Sequence, residues 1–219
     1  MKEKQFAPAT ERNRDPILEV LQQVLPPTGT VLEIASGTGE HAVYFAPRLQ
    51  PRFWLPSEPN PILRESILAW KEEFPCDYLY PPLAIDVQAN KPWLLENQDL
   101  SAIVCINLIH IAPWQACEGL MQGAGRLLPQ GGVLYLYGPF KWEGVHTAES
   151  NARFDLSLQQ QNPQWGVRDL EAVVSLAQVH QLELQNVIPM PANNFSVVFS
   201  HKNALEKTRA SLINLKNQH

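Results

Sequence analysis

An acidic residue inside an apolar strand precedes a glycine turn near the start of the chain. Glu33 lies in the run Val31 to Ala35, which is followed at once by Ser36-Gly37-Thr38-Gly39. A strand, a glycine turn and a helix in this order are typical of the entry to a nucleotide-binding α/β domain. The glycines let the backbone approach a ligand, and the amides at the helix start face a polar or anionic group. Since burying an uncompensated carboxylate is costly, we predict a partner for Glu33.

The glycine turn alone is compatible with more than one class of ligand. The run from Gly37 to Ala42 also fits G-x-G-x-x-G/A, the fingerprint of dinucleotide binding. Glu58 follows about 20 residues later, where an acid accepts the ribose hydroxyls of either type of cofactor. A third possibility is that the turn only connects two elements of the fold. The motif therefore favours a nucleoside cofactor and leaves its class open.

Strands and helices alternate strictly through the first two thirds of the sequence, which predicts right-handed βαβ units and an open parallel sheet. Two late strands separated by a short turn indicate an antiparallel hairpin at the sheet edge. The predicted strands are 30–35, 52–55, 83–85, 101–106, 133–137, 182–188 and 195–200, and the predicted helices are 14–25, 39–49, 61–73, 114–128 and 168–180.

Polar side chains stand at the carboxyl ends of these predicted strands, where ligands bind in open α/β sheets. After Glu33 and Glu58, they are Asp86, Asn107 with His110, and Tyr137 with Lys141. Asp86 and Asn107 could instead cap the helices that follow. The histidines show no paired spacing typical of metal ligands, so no metal site is predicted.

The bulk composition argues against several functional classes. The 219 residues carry a net charge of −5 and no basic block, so a nucleic-acid partner is not expected. No apolar run is long enough to span a membrane. Cys76, Cys105 and Cys117 are odd in number and lack a C-x-x-C spacing, which favours reduced thiols in a cytoplasmic protein.

The spacing E-x-x-x-G-x-G around Glu33 resembles motif I of class I S-adenosylmethionine-dependent methyltransferases. Longer segments resemble one group within that class, the domain-of-unknown-function family 938, whose animal members are called methyltransferase-like 26. The resemblance covers about residues 5 to 202 and rests on ERNRDPIL (11–18), LEIASGTGEHAVYFA (32–46), PSE (56–58), INLIHIAPW (106–114), GPFK (138–141), SNARFDLSL (150–158) and WGVRDLE (165–171). Family members often carry aspartate at the position of Glu58, and either acid can accept two hydroxyl donors.

The resemblance implies a Rossmann-like α/β fold: a seven-stranded, mostly parallel sheet with an antiparallel terminal hairpin and helices on both faces. It implies S-adenosylmethionine as cofactor, with Glu33 and Asn107 near the methionine end. It further implies that Glu58 holds the ribose hydroxyls and that Asp86 meets the adenine amino group. Asn13 either folds over the cofactor or caps the first helix.

Methyl transfer requires alignment of a nucleophile and, for a hydroxyl or ammonium acceptor, removal of a proton. His110 is the best-placed candidate base, and its alternative is a hydrogen-bonded histidine at the start of a loop. Tyr137 flanks the predicted pocket as a second catalytic candidate. Residues 1–202 are predicted to form one domain, with 142–169 as a substrate-side insert and 203–219 as a helical tail.

The sequence therefore predicts a methyltransferase that acts on a small polar acceptor. One alternative is a protein that binds the adenosyl cofactor without efficient catalysis. A second is an NAD-dependent oxidoreductase that uses the same glycine turn, although Glu33, Asp86 and the terminal hairpin count against it. The sequence assigns neither the acceptor nor the oligomeric state.

Overall fold

A computed structural model describes residues 3–89, 91–95 and 99–202. The helices are Pro8–Val24 (α1), Glu40–Phe45 (α2), Pro61–Glu73 (α3), Trp114–Leu127 (α4), Glu149–Gln161 (α5) and Leu170–Val179 (α6). The strands are Thr30–Ile34 (β1), Phe53–Ser57 (β2), Leu100–Ile106 (β3), Val133–Gly138 (β4), Phe140–Trp142 (β5), Val145–His146 (β6), Arg168–Asp169 (β7), Leu182–Met190 (β8) and Asn194–His201 (β9). The predicted helical tail at 203–219 lies outside the described residues.

The main sheet has the strand order β2-β1-β3-β4-β9-β8. The pairs β2-β1, β1-β3 and β3-β4 are parallel, whereas β4-β9 and β9-β8 are antiparallel, so the predicted terminal hairpin is confirmed. The chain passes from β1 to β2 on one side and then returns to place β3 on the other side. This reversal between β1 and β3 is the switch point at which open α/β sheets form a ligand crevice.

Helices cover both faces of the sheet, as predicted. On one face α4 and α6 pack through residues such as Leu120 and Val173. On the other face α1 and α2 pack through residues such as Leu21 and Phe45. All five positions of β1 are buried, because its two faces contact helices and its two edges pair with strands. This central strand gives Glu33 and the glycine turn a rigid support.

The main sheet contains six strands among the described residues, so the prediction of seven was wrong. The predicted strand at 83–85 is replaced by isolated parallel bridges from Leu79 to Trp54 and from Leu83 to Ser57. Pro81 and Pro82 lie between these bridges and have no N–H group with which to continue the ladder. By contrast, β2 continues through Pro56, where the sequence predicted its end.

The segment 142–169 contains regular structure that the sequence did not indicate. A three-stranded sheet, ordered β6-β5-β7, packs beside helix α5. Asp155 on α5 binds this small sheet through Lys141, at 3.0 Å, and His146, at 3.1 Å. The polar segment is therefore a folded layer at the carboxyl end of β4.

Candidate functional site

The glycine turn connects β1 to α2 through a tight bend of the backbone. Gly37 and Gly39 have φ values of +54° and +94°, a region that favours glycine. A Cβ atom on Gly39 would lie 2.8 Å from Cγ1 of Ile67, so α3 packs directly on this residue. A Cβ atom on Gly37 would meet nothing within 4 Å. Gly37 therefore presents its backbone to open space, where a ligand can approach.

Glu33 has the partner that its position in an apolar strand predicts. The indole N–H of Trp54 donates to its Oε2 at 3.1 Å. Its main-chain carbonyl accepts the hydroxyl of Ser57 at 2.7 Å, and Ser36 Oγ accepts the Ser57 N–H at 3.1 Å. Burial raises the pKa of Glu33 to about 7 despite these bonds. The carboxyl can therefore change its charge near neutral pH.

Glu58 links the end of β2 to the glycine turn. Its Oε2 accepts the backbone N–H of Gly37 at 3.0 Å, and its Oε1 accepts that of Asn60 at 3.1 Å. Burial raises the pKa of this carboxyl above its ordinary value. Each carboxylate oxygen has two lone pairs, so both oxygens retain the capacity to accept a further donor. The arrangement suits an acid that holds a pair of hydroxyl groups.

A cleft of about 410 Å³ opens at the carboxyl ends of β1, β2 and β3, within the volume range of small-molecule sites. Ala35 and Asn107 directly follow β1 and β3 in left-handed conformations, with φ of +56° and +57°. Such conformations are costly for non-glycine residues and cluster at functional sites. The residues that line the cleft are Ala7, Ala9, Thr10, Glu33, Ala35, Ser36, Gly37, Thr38, His41, Glu58, Pro59, Leu63, Ile106, Asn107, Leu108 and Ile111.

Asp86 lies in a neighbouring cavity rather than in the cleft itself. This cavity, of about 500 Å³, shares Pro59 with the cleft and is lined by Leu83 to Asp86. The Asp86 side chain is exposed and accepts the N–H of Gln88 at 2.9 Å. Asp86 therefore closes a local turn in the cavity next to the cleft.

Asn13, His41 and Tyr137 form a polar network beside the cleft. His41 Nε2 lies 2.8 Å from Oδ1 of Asn13. Burial raises the pKa of Tyr137, and the nearby side chains of Asn194 and Asn13 oppose that shift. Of these residues, only His41 lines the cleft. Since α1 begins at Pro8, Asn13 lies within the helix and does not cap it. Burial, with a smaller effect of Arg14, lowers the pKa of His41 to about 3.

His110 is 3 % exposed and does not line the cleft, although its neighbours Leu108 and Ile111 do. Its ring meets Phe154 edge-on, with centroids 5.7 Å apart, and Nδ1 has no hydrogen-bond partner. A Cβ atom on Gly138 would lie 2.9 Å from Cε1, so glycine makes room for the ring. Burial, with a smaller effect of Arg168, lowers the pKa of His110 to about 4. The side chain is neutral at pH 7 and is a weak base.

The loop that carries Asn107 and His110 is held in place by Arg168 from the insert. The Arg168 guanidinium donates to the carbonyl oxygens of Ile109 at 2.8 Å and Ala112 at 2.6 Å. A third bond reaches the carbonyl of Gln164 at 2.9 Å. The insert is therefore fastened to the loop that forms one wall of the cleft.

Several site residues were not predicted from the sequence. Ala7 and Thr10 line the cleft from the amino-terminal segment, and Glu40 accepts hydrogen bonds from the Ala7 N–H and from Thr38 Oγ1. Trp54, the partner of Glu33, lies within an ordinary apolar strand. The alanines have no chemical signature in the sequence. Glu40 had one weak signal, its position directly after the glycine turn.

Comparison with known proteins identifies the family. The family described as "Protein of unknown function (DUF938)" matches residues 4–201. The chain belongs to this family. The DUF938 match includes every residue that lines the cleft, so the cleft is part of the family domain.

Solved structures of methyltransferases share the fold of this DUF938 chain. The S-adenosylmethionine-dependent methyltransferase SibL, in its apo form, has a TM-score of 0.73 at 13 % identity, covering 89 % of this chain and 56 % of SibL. Human N-acetylserotonin methyltransferase, in complex with SAM, has a TM-score of 0.70 at 14 % identity, and the match covers 89 % of this chain and 53 % of that protein. CalO1, a methyltransferase in calicheamicin biosynthesis in its SAH-bound form, has a TM-score of 0.66 at 14 % identity, and the match covers 85 % of this chain and 53 % of CalO1. The DUF938 chain thus spans a little over half the length of these proteins.

Two further observations concern other kinds of site. Across the part of the chain that the structure describes, no group of three or more His, Cys, Asp or Glu side chains is arranged to hold a metal ion. Within the same residues, no helix has the length and apolar character needed to cross a bilayer.

Proposed function

We propose that this DUF938 protein is an S-adenosylmethionine-dependent methyltransferase. The observation that carries the proposal is the pairing of Glu58 with the Gly37 amide at the mouth of the β1/β3 switch point. An acid that follows β2 and is fixed to the glycine turn of β1 is suited to hold ribose hydroxyls beside the turn. The methyltransferase fold of the chain supports the same cofactor.

The residues of the cleft fit the cofactor. The open space at Gly37 leaves room beside the glycine turn, and the remaining lone pairs of Glu58 can accept the ribose hydroxyls. Glu33 and Asn107 would hold the methionine end, and Ser36, Thr38 and Gly39 would shape the turn around it. Asp86 would meet the adenine from the neighbouring cavity. S-Adenosylmethionine supplies an activated methyl group on a sulfonium, so the protein needs to provide alignment and exclusion of water.

The acceptor that suits this cleft is a small, polar molecule that carries no negative charge. Leu63, Ile106, Leu108 and Ile111 give the cleft an apolar wall. Among its described lining residues the ionisable acids are Glu33 and Glu58, and none is lysine or arginine. An anionic acceptor would therefore lose hydration without gaining a countercharge. His110, neutral at pH 7, is the candidate to accept the proton of an acceptor hydroxyl or ammonium, and Tyr137 is the second candidate.

A second candidate function is cofactor binding without efficient catalysis. It is favoured by the burial of His110, which lies outside the cleft lining and has a pKa of about 4. A base this weak removes a proton slowly unless a movement of the loop exposes it.

We also propose the narrower relationship to the methyltransferase-like 26 group. The free thiols of Cys76, Cys105 and Cys117 favour a cytoplasmic location, and the net charge of −5 favours small-molecule over nucleic-acid partners.

Calorimetric titration with S-adenosylhomocysteine, S-adenosylmethionine and NAD tests the proposal. We expect the two adenosyl ligands to bind and NAD not to bind. Binding of NAD alone would support the oxidoreductase alternative, and binding of none of the three would overturn the proposal. Incubation with S-adenosylmethionine and a panel of small alcohols, phenols and amines then separates catalysis from binding. A methylated product whose rate of formation falls in His110→Ala would exclude the binding-only function.

A further inference from the structure

The amino-terminal segment before α1 lies against the cofactor cleft. Ala7, Ala9 and Thr10 form part of its lining, as do Leu108 and Ile111 of the loop after β3. We call residues 4–7 the clasp. The clasp therefore leads directly into the part of the lining that Ala7, Ala9 and Thr10 form.

One set of contacts fastens the clasp to α3. The N–H of Gln5 donates to Ser66 Oγ at 2.8 Å, and its carbonyl accepts the indole N–H of Trp70 at 3.0 Å. Phe6 meets the Trp70 ring edge-on, with centroids 5.1 Å apart. The Lys4 ammonium lies 4.5 Å from the same ring centroid and pairs with Glu73. Trp70 is thus the platform on which the clasp rests.

A second set of contacts connects the clasp to the glycine turn. Glu40 Oε2 accepts both the N–H of Ala7 and the hydroxyl of Thr38, the latter at 2.9 Å. Ser66, which accepts the N–H of Gln5, donates to the carbonyl of Thr38 at 2.8 Å. Glu40 and Ser66 therefore each bridge the clasp and Thr38. The clasp and the glycine turn are therefore connected through these two shared side chains.

The clasp is fastened by contacts that can open without unfolding the domain. Phe6 remains 66 % exposed, and Lys4 and Glu73 pair at the surface. Exposed ion pairs and isolated hydrogen bonds are individually weak, and segments with few buried apolar contacts open locally. The buried core beneath α1, by contrast, begins at Ile17.

We propose that the clasp closes over bound adenosyl cofactor and sets the rate at which it leaves, with Glu40 as the positioning residue that couples clasp and turn. This inference rests on the proposed cofactor. Breaking the clasp removes a barrier to exit and part of the cleft wall. The main effect is therefore on the dissociation rate, as is usual for changes within one binding interface.

The test is the dissociation rate of S-adenosylhomocysteine, measured by stopped-flow displacement in the full chain. We expect Phe6→Ala and Glu40→Ala to accelerate release by at least about tenfold, since each loses contacts that hold the closed form. Glu40→Gln should release the ligand almost as slowly as the unmodified protein, because its side-chain oxygen can still accept the Ala7 N–H. Phe74→Ala is the matched control, since Phe74 stacks on the same Trp70 ring, at 5.8 Å, outside the clasp.

The outcomes separate this inference from the proposed function. If the unmodified protein does not bind S-adenosylhomocysteine, the proposed function fails. If it binds, but release is equally fast in Phe6→Ala, Glu40→Ala and Phe74→Ala, the clasp has no gating role. Chymotryptic cleavage after Phe6 in the unmodified protein provides a measurement that does not depend on the variants. The ligand should slow this cleavage, and an unchanged cleavage rate would also overturn the inference.

Discussion

At the scale of single residues, two acids at the ends of adjacent strands have different environments. Glu33 is almost completely buried, receives one bond from Trp54 and has a pKa of about 7. Glu58 accepts two backbone amides at the mouth of the cleft. The first acid is therefore poised to change its charge, and the second is organised to accept hydrogen bonds. This difference leads to two separate predictions.

Replacing Glu58 should weaken cofactor binding without unfolding the domain. Glu58→Ala removes the charged acceptor that we propose for the two ribose hydroxyls, which should reduce the affinity for S-adenosylhomocysteine by about 2 kcal/mol, or about 30-fold. Calorimetric titration measures the change, and Glu65→Ala, on the exposed side of α3, is the control. Equal affinity in Glu58→Ala and the unmodified protein would show that the ribose lies elsewhere.

Replacing Glu33 should stabilise the ligand-free protein in a pH-dependent way. The folded pKa of about 7 lies above the ordinary 4.5, so the stability contributed by the protonated form is complete below pH 4.5 and is lost as pH rises through 7. Glu33→Gln carries no charge and avoids this loss. We expect a gain on the order of 3 kcal/mol at pH 8 that becomes small at pH 5. Urea unfolding at both values tests it, and an equal difference at pH 5 and pH 8 would contradict the assigned cause.

At the scale of elements, the segment after Pro82 packs closely against two glycines of α4. A Cβ atom on Gly119 would lie 1.7 Å from the carbonyl oxygen of Val87, and one on Gly123 would lie 2.3 Å from the Trp93 ring. The groove along α4 thus positions the segment that carries Asp86. The sequence predicted a strand at 83–85, just before this groove, where the structure has a single parallel bridge from Leu83 to Ser57.

Gly119→Ala should therefore destabilise the protein, although alanine favours helices. At an open helical position the substitution would stabilise by up to about 1 kcal/mol. Here the methyl group overlaps a main-chain oxygen, and we expect a loss of more than about 2 kcal/mol in urea unfolding. A stabilised Gly119→Ala variant would mean that the segment does not occupy the groove.

Helix α5 shows why the structure of the segment 142–169 was not predicted. Its buried positions are Asn151, Asp155 and Leu158, so two polar residues occupy the face that an apolar stripe usually marks. Their partners include groups distant in sequence: Asp155 binds Lys141 and the N–H of Val167, and Asn151 donates to the carbonyl of Asn193. By contrast, β1 and its glycine turn were predicted because an apolar run and two glycines have local signatures.

At the scale of the whole molecule, the alternation of strands and helices was sufficient to predict the α/β class, the parallel sheet and the terminal hairpin. The positions of Glu33 and Glu58 at the ends of β1 and β2 followed from that topology, whereas an isolated bridge at Leu83 replaces the strand that was predicted to precede Asp86. The clasp and the Asn13–His41 contact could not be predicted, because they join segments that are distant in sequence. The folded core also buries two histidines, which affects the stability of the entire domain.

Lowering the pH should reduce the free energy of unfolding because His41 and His110 are buried in their neutral form. Their folded pKa values of about 3 and about 4 lie below the ordinary 6.5, so the stability they contribute is complete above pH 6.5 and is lost as pH falls towards 4. Together the two histidines should lower the free energy of unfolding by about 4 kcal/mol between pH 7 and pH 5. In the unmodified protein, protonation of Glu33 over the same range partly offsets this loss. Unfolding in Glu33→Gln should therefore show the steeper loss. Equal losses in the two proteins would refute this balance.

The most direct test of the account is a crystal structure of the protein with S-adenosylhomocysteine. We expect the ligand in the cleft between the ends of β1 and β3, with its ribose hydroxyls within about 3.2 Å of the Glu58 carboxylate oxygens. Its adenine should point across Pro59 towards Asp86. A ligand seated elsewhere, or a ribose turned away from Glu58, would contradict the assignment of this cleft as the methyltransferase cofactor site.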